Sequence, residues 1–273
     1  MMCTVTIGTS RFNVDFQLGH VISIPLDFHG LQANCYDAEH ASARAFQSGD
    51  FIGDTRQEGS CNCEMIRLTP HCNGTHTECI GHLTNERISI DRVLGTSLLP
   101  ATLISVPVLP AASSAEQCLP LARESDLLIT REALRQSLLG STEHFLKALV
   151  IRTLPNTEDK LIKCYTASSA PYLTLEAMEE ILDHDIQHLL VDIPSLDRLD
   201  DDGKMTAHRL FWSIPPGRHE AGDAAAHTRT ITELIYVPDT IPDGRYMLNL
   251  QIAPFISDAA PSRPVLYPVT TRP

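Results

Sequence analysis

One short segment leaves this chain few ways to fold: Pro70-His71-Cys72-Asn73-Gly74-Thr75-His76-Thr77-Glu78-Cys79-Ile80-Gly81-His82. It holds three imidazoles, two thiols and a carboxylate within thirteen residues. These side-chain types bind zinc and its neighbours among the transition metals. Cys72, His76, Glu78 and His82 share parity, so an extended backbone projects them toward one side. Gly74 and Gly81 permit turns and a close approach to a ligand. The one-sided projection is conditional on the glycines not kinking the chain, and a metal site is the leading reading of the segment. The competing reading is chance clustering, since a free cysteine is often a small buried hydrophobe.

Such a strand needs a core, and 273 residues with 43% hydrophobic content can supply one. A formal charge of -13, with 21 Lys and Arg scattered along the chain, argues against nucleic acid as a partner. A soluble, acidic protein acting on a small molecule is the reading that remains. Met1 to Phe16 shows no basic region followed by an apolar run, and no apolar stretch approaches the ~20 residues of a membrane helix. The expectation is a cytoplasmic protein without a membrane partner. Its eight cysteines are then read as reduced thiols rather than a disulfide framework.

Taken in order, Cys3–Ile7 and Val21–Leu26 read as strands, and Asn34–Gln47 has weak helical character. Ser48–Ser60 reads as a loop near the site or a partner subunit, and Glu64–Leu68 as an alternating strand leading into the central segment. Arg87–Val93, Thr102–Leu109 and Ala148–Thr153 read as strands. A helix is predicted from Thr130, its cap, to Gly140, with Leu134 and Leu138 on one face. Pro171–Asp183 carries the clearest helical pattern: Thr174 as cap, Glu176 in the first turn, and Leu175, Met178, Ile181 and Leu182 as an apolar stripe. Strands follow at His188–Ile193, Tyr246–Ile252 and Val265–Val269. No repeat or low-complexity linker divides the chain, so residues 1–273 read as one domain.

The central segment resembles the signature of the cyclase family, metal-dependent hydrolases that include bacterial kynurenine formamidase and isatin hydrolase. That signature reads His-x-Gly-Thr-His-x-Asp-x-Pro-x-His. Gly74, Thr75, His76 and His82 match it in place; Glu78 stands for Asp, Ile80 for Pro, and Cys72 for the first His, with His71 displaced by one residue. Further patches resemble the family. Ile22–Leu26 is similar to its opening strand, though Val21 stands where the family has Asp. Asp192, Pro194, Ser195 and Asp197 match its Asp-x-Pro-Ser-x-Asp stretch, with ordinary loop capping as the alternative role. Asp258–Pro264 resembles its closing loop.

The resemblance implies an α/β fold: a single domain with a mixed, strand-rich central sheet or barrel-like core flanked by a few helices, of the swivelling β/β/α kind. It implies a divalent metal, one or two ions, and a Cys72 thiolate in place of an imidazole favours zinc over manganese. The ligands it implies are Cys72, His76, Glu78, His208 and Glu233, with Glu78 or Glu233 able to bridge. His71 is the alternative to Cys72, and His219 or His227, in an apparent insertion at Ser213–His227, the alternative to His208. A structural zinc site of Cys61, Cys63, Cys72 and Cys79 departs from the usual knuckle spacing; packing or a redox-sensitive pair suits Cys61 and Cys63 better. His82 takes the family's acid/base position. The implied reaction is hydrolysis of a non-peptide carbon–nitrogen amide bond, arylformamidase-like, by a homodimer or homotetramer. The alternatives are a metal-poor relative that binds a small carboxylate or aromatic ligand without turnover, and a metal enzyme that opens lactones or cyclises.

Overall fold

In the computed structural model, which describes residues 1–166, 170–222 and 224–271, most of the chain is gathered by one mixed sheet of eleven strands. In chain order these are β1 (Met2–Ile7), β2 (Ser10–Asp15), β3 (His20–Val21), β4 (His76–Cys79), β5 (Leu98–Pro107), β6 (Ala148–Leu154), β7 (His188–Val191), β8 (Thr230–Glu233), β9 (Gly244–Asn249), β10 (Ala259–Pro261) and β11 (Val265–Thr271). The order across the sheet is β1-β2-β11-β9-β5-β6-β7-β8-β4-β10, with β3 also on β11. Strands β5 to β8 run parallel, while β4 joins β8, and β10 joins β4, antiparallel.

The parallel strands are apolar because both faces are covered. Ile104 and Val106 on β5, Leu149 and Ile151 on β6, Leu189 and Val191 on β7, and Ile231 on β8 face three helices. These are α2 (Arg131–Leu138), α3 (Leu175–Asp183) and α4 (Thr206–Phe211); a single helical turn, α1 (Ile90–Val93), precedes them in the chain. The alternate residues Leu103, Val150 and Leu190 face the other way, toward Ile22, Ile235, Val237, Leu248 and Leu266. The period-two alternation of the sequence is thus spent on two cores. The fold is α/β, as expected from the sequence. No helix among the described residues is long and apolar enough to cross a membrane.

The two predicted long helices form where their caps are. Thr130 Oγ1 accepts from the Ala133 N–H at 3.2 Å, and Thr174 Oγ1 from the Ala177 N–H at 3.0 Å. Three readings are corrected. Asn34–Gln47 is not helical: Tyr36 and Asp37 have φ of 57° and 51°, and Ser42–Ala45 pairs with Glu64–Arg67 in a separate ribbon. Arg87–Val93 is not a strand; Ile90 is buried against Cys79 and Ala260 as part of a helical turn begun at Ser89. The strand expected over Val21–Leu26 shrinks to His20–Val21 and a bridge from Ser23 to Ile235, because Pro25 has no N–H to extend a ladder.

Candidate metal centre

The centre lies where β7 and β8 end and β4 turns away from them, at the carboxyl edge of the parallel strands. Pairing of β4 with β8 sets Glu233 opposite His76 and Ile231 opposite Glu78, so His76, Glu78 and Glu233 project from one face. Thr77 and Thr232 face the other side, where their hydroxyls are 2.8 Å apart. Before the strand, Gly74 adopts φ of 74°, a left-handed conformation that suits a residue without Cβ. Thr75 then stitches the neighbourhood together, donating from Oγ1 to the Leu234 carbonyl and accepting from the Ile24 N–H at 2.8 Å. Gly81 is needed for a close approach to backbone, not to a ligand: a Cβ there would meet the Ile88 carbonyl oxygen at 2.0 Å.

The segment is extended only over His76–Cys79. Upstream, Cys72 N–H and Asn73 N–H both donate to the Thr69 carbonyl at 3.0 Å, and Asn73 Oδ1 accepts from Thr69 N–H at 2.7 Å. This turn breaks the parity relation, so His71, not Cys72, joins the cluster. His71 Nδ1 is 2.8 Å from Glu78 Oε2, and its Nε2 is 2.7 Å from Asp258 Oδ2. The Cys72 thiol is not among the converging atoms. It packs half-buried with Cys35, Ile24, Ala33 and Leu234. Downstream, a turn at Ile80–His82 folds His82 back over His71, their rings stacked with centroids 4.0 Å apart.

From the other side, α4 delivers His208. Asp197 accepts from the Ala207 N–H at 2.7 Å and the His208 N–H at 3.2 Å, and its Oδ2 is 2.7 Å from His208 Nδ1. The same carboxylate caps the helix and fixes the ring. His208 Nε2 then points into the cluster, 3.1 Å from Glu78 Oε1 and 3.5 Å from Glu233 Oε1. His76 Nε2 lies 3.5 Å from Glu233 Oε2. The ligand atoms form three overlapping groups, His71-His76-Glu78, Glu78-His208-Glu233 and His71-His82-Asp258, each with its atoms within 4.8 Å of one another.

The donors fit a cation. Glu78 is 1% exposed, yet among the described residues neither of its carboxylate oxygens, nor the buried His76 Nε2, has a partner in hydrogen-bond geometry. Nitrogen and oxygen atoms that crowd together without hydrogen-bond geometry are aimed at a common point rather than at each other. Burying a carboxylate costs several kcal/mol, and the imidazoles ranged around it, or a cation bound in their midst, would offset that cost. Burial would raise the Glu78 carboxyl, but the imidazoles of His82, His208 and His71 hold it well below the ordinary carboxylate range. Burial would lower His71, and Asp258 and Glu78 instead raise it to about 10. His208 is raised too, by Asp197, Glu233 and Glu78 against its burial. The cluster thus stabilises positive charge at its centre.

Of the six residues expected from the sequence, His76, Glu78, His208, Glu233 and His82 are brought together, and Cys72 is not. His219 Nδ1 is occupied by the Leu83 carbonyl at 2.8 Å, and neither it nor His227 belongs to a ligand group among the described residues. One position of the 213–227 insertion, residue 223, lies outside the described residues. Cys61 and Cys63 are exposed while Cys79 is buried, so the four-thiol alternative does not assemble. Asp258 carries no signal in local spacing, since its partners are 176 to 187 residues away; the closing-loop resemblance is what could have pointed to it.

Residues 16–198 match the model of the Cyclase family. Similar solved structures include a predicted metal-dependent hydrolase from Bacillus stearothermophilus, 16% identical, covering 91% of this chain and 97% of that one, with a TM-score of 0.58. Isatin hydrolase A from Labrenzia aggregata, bound to benzyl benzoate, is 12% identical over 91% of this chain and 93% of its own, with a TM-score of 0.60. Isatin hydrolase A from Ralstonia solanacearum is 14% identical over 91% of each chain, with a TM-score of 0.55. No curated protein matches the sequence.

Proposed function

The chain belongs to the Cyclase family, and from that premise we propose that it is a metal-dependent hydrolase that cleaves a carbon–nitrogen bond in a small, non-peptide amide. The observation that carries this reading is the buried Glu78 carboxylate, ringed by histidine nitrogens with, among the described residues, no partner in hydrogen-bond geometry at either oxygen. His71, His76 and Glu78 would hold one divalent ion, and Glu78, His208 and Glu233 a second, with Glu78 common to both sets. Zinc suits the imidazole-rich set better than manganese. Such an ion supplies acidified water near neutral pH and polarises a substrate carbonyl.

The rest is the work of the chain's own groups. His82 is about one-quarter exposed, so it reaches a substrate as well as the cluster. Its Nδ1 faces Asp258 Oδ2 at 3.4 Å and its Nε2 lies 4.0 Å from Glu78 Oε2, beside the ligands, where it would take a proton and return it to the departing nitrogen. Asp258 holds His71 through the same oxygen, so one carboxylate orients both the base and a ligand. A cavity of about 360 Å³, lined in part by Gly81, Ile88, Ser257 and Asp258, reaches this carboxylate.

An N-formyl arylamine is the substrate class we favour; the cyclic amide isatin, named for two of the structural neighbours, is the first comparison. The test is a panel of formanilides, lactams, lactones and esters, assayed with wild type and His82→Ala. Turnover of formanilides that falls by about a hundredfold or more in His82→Ala, with bound metal unchanged, is expected. Ligand binding without turnover of any member would replace the enzyme with a binding protein.

A further inference from the structure

The Cys72 thiol, left out of the metal cluster, lies against a second thiol. Asn34 and Asn73 are antiparallel bridge partners, which sets Cys35 opposite Cys72. Cys35 Sγ is 3.6 Å from the His71 carbonyl oxygen and 3.9 Å from that of Cys72, and the Cys72 side chain packs against the apolar cluster that contains Cys35. Opposed antiparallel residues have Cα atoms roughly 4.5–5.5 Å apart, inside the roughly 4.4–6.8 Å that a disulfide spans. Cys35 is 1% exposed, whereas Cys72 is half-buried and reachable by a small oxidant. Cys72 is also the residue next to His71, so a change in its backbone is felt directly at the cluster.

We propose that Cys35 and Cys72 are an oxidation site, closed by hydrogen peroxide into a reversible disulfide that displaces His71 from the metal centre. In the first step the Cys72 sulfur attacks one peroxide oxygen, the O–O bond breaks, and sulfenic acid and water form. In the second the Cys35 sulfur attacks the Cys72 sulfur and releases the oxygen as water. The two thiols lose two electrons and two protons, and one peroxide becomes two waters. Bond formation draws the sulfurs to about 2.05 Å and pulls the Thr69–Asn73 turn toward the Asn34 segment. The displacement rests on the reading of His71 as a ligand; the thiol chemistry does not.

The test treats wild type and Cys35→Ser with hydrogen peroxide, blocks remaining thiols, and maps disulfide-linked peptides by mass spectrometry. Bound metal is measured on the same samples. A Cys35–Cys72 linked peptide in wild type, reversed by dithiothreitol, with retained metal down about fivefold or more, is expected. Cys35→Ser should keep its metal under the same treatment. Oxidation confined to the exposed Cys61, Cys63 and Cys164 would overturn the proposal, as would a linked peptide with metal content unchanged. Wild type that holds no metal before oxidation would sink the proposed function instead, leaving the peptide map to decide the thiol chemistry.

Discussion

Glu78 is defined by what surrounds it: the imidazoles of His71, His76, His82 and His208 and, among the described residues, no partner in hydrogen-bond geometry at either oxygen. Asp197 is defined by a single contact that matters most, the bond at His208 Nδ1. A carboxylate behind a ligand histidine fixes its tautomer, so Asp197→Asn should weaken metal binding by roughly 10- to 100-fold, measured by competition with a chromogenic chelator. Away from the centre, burial holds the His188 imidazole down to about 4, with its Nδ1 against the Thr230 hydroxyl at 2.8 Å. Its folded-state pKa is depressed, so the unfolded chain binds the extra proton. Stability from this group is complete above pH ~6.5 and is lost as pH falls toward 4, by about 2–3 kcal/mol. The loss of urea resistance between pH 7.5 and pH 4.5 should therefore be smaller in His188→Gln than in wild type. At this scale residue type and local spacing single out His76, Glu78 and His82, while His208, Glu233 and the acid/base role of His82 come from the family resemblance; the fold gathers all five into one cluster. Cys72 was misplaced because a turn at Thr69–Asn73 is set by the Asn73 side chain, which parity along a strand ignores.

Helices α2 and α3 could be read because each is specified locally, by a threonine cap and an apolar stripe. Thr130→Ala removes one such cap and should cost about 1 kcal/mol, seen as a fall of roughly 2–4 °C in Tm with the metal content unchanged. Strands β5, β6 and β7 were legible for the same reason, as short apolar runs buried on both faces. The Asn34–Gln47 and Arg87–Val93 segments were not. Their conformations are imposed by partners far along the chain: Ser42–Ala45 by Glu64–Arg67, and Ile90 by the Ser257 carbonyl that its N–H meets at 2.8 Å.

Across the whole molecule, the centre is assembled from four separated stretches: residues 71–82, 197–208, 233 and 258. The sheet brings them together, because β4 is the first central strand in the chain yet inserts between β8 and β10, near the end of the sheet order. That insertion sets His76 across from Glu233, and it could not be inferred from either stretch alone. The most direct measurement is elemental analysis of the protein purified without chelator or added metal, for wild type and His76→Ala, with circular dichroism to verify that both are folded. One or two equivalents of zinc or manganese in wild type, lost in folded His76→Ala, is the predicted result. Wild type without metal, even after reconstitution with zinc and manganese, would contradict it.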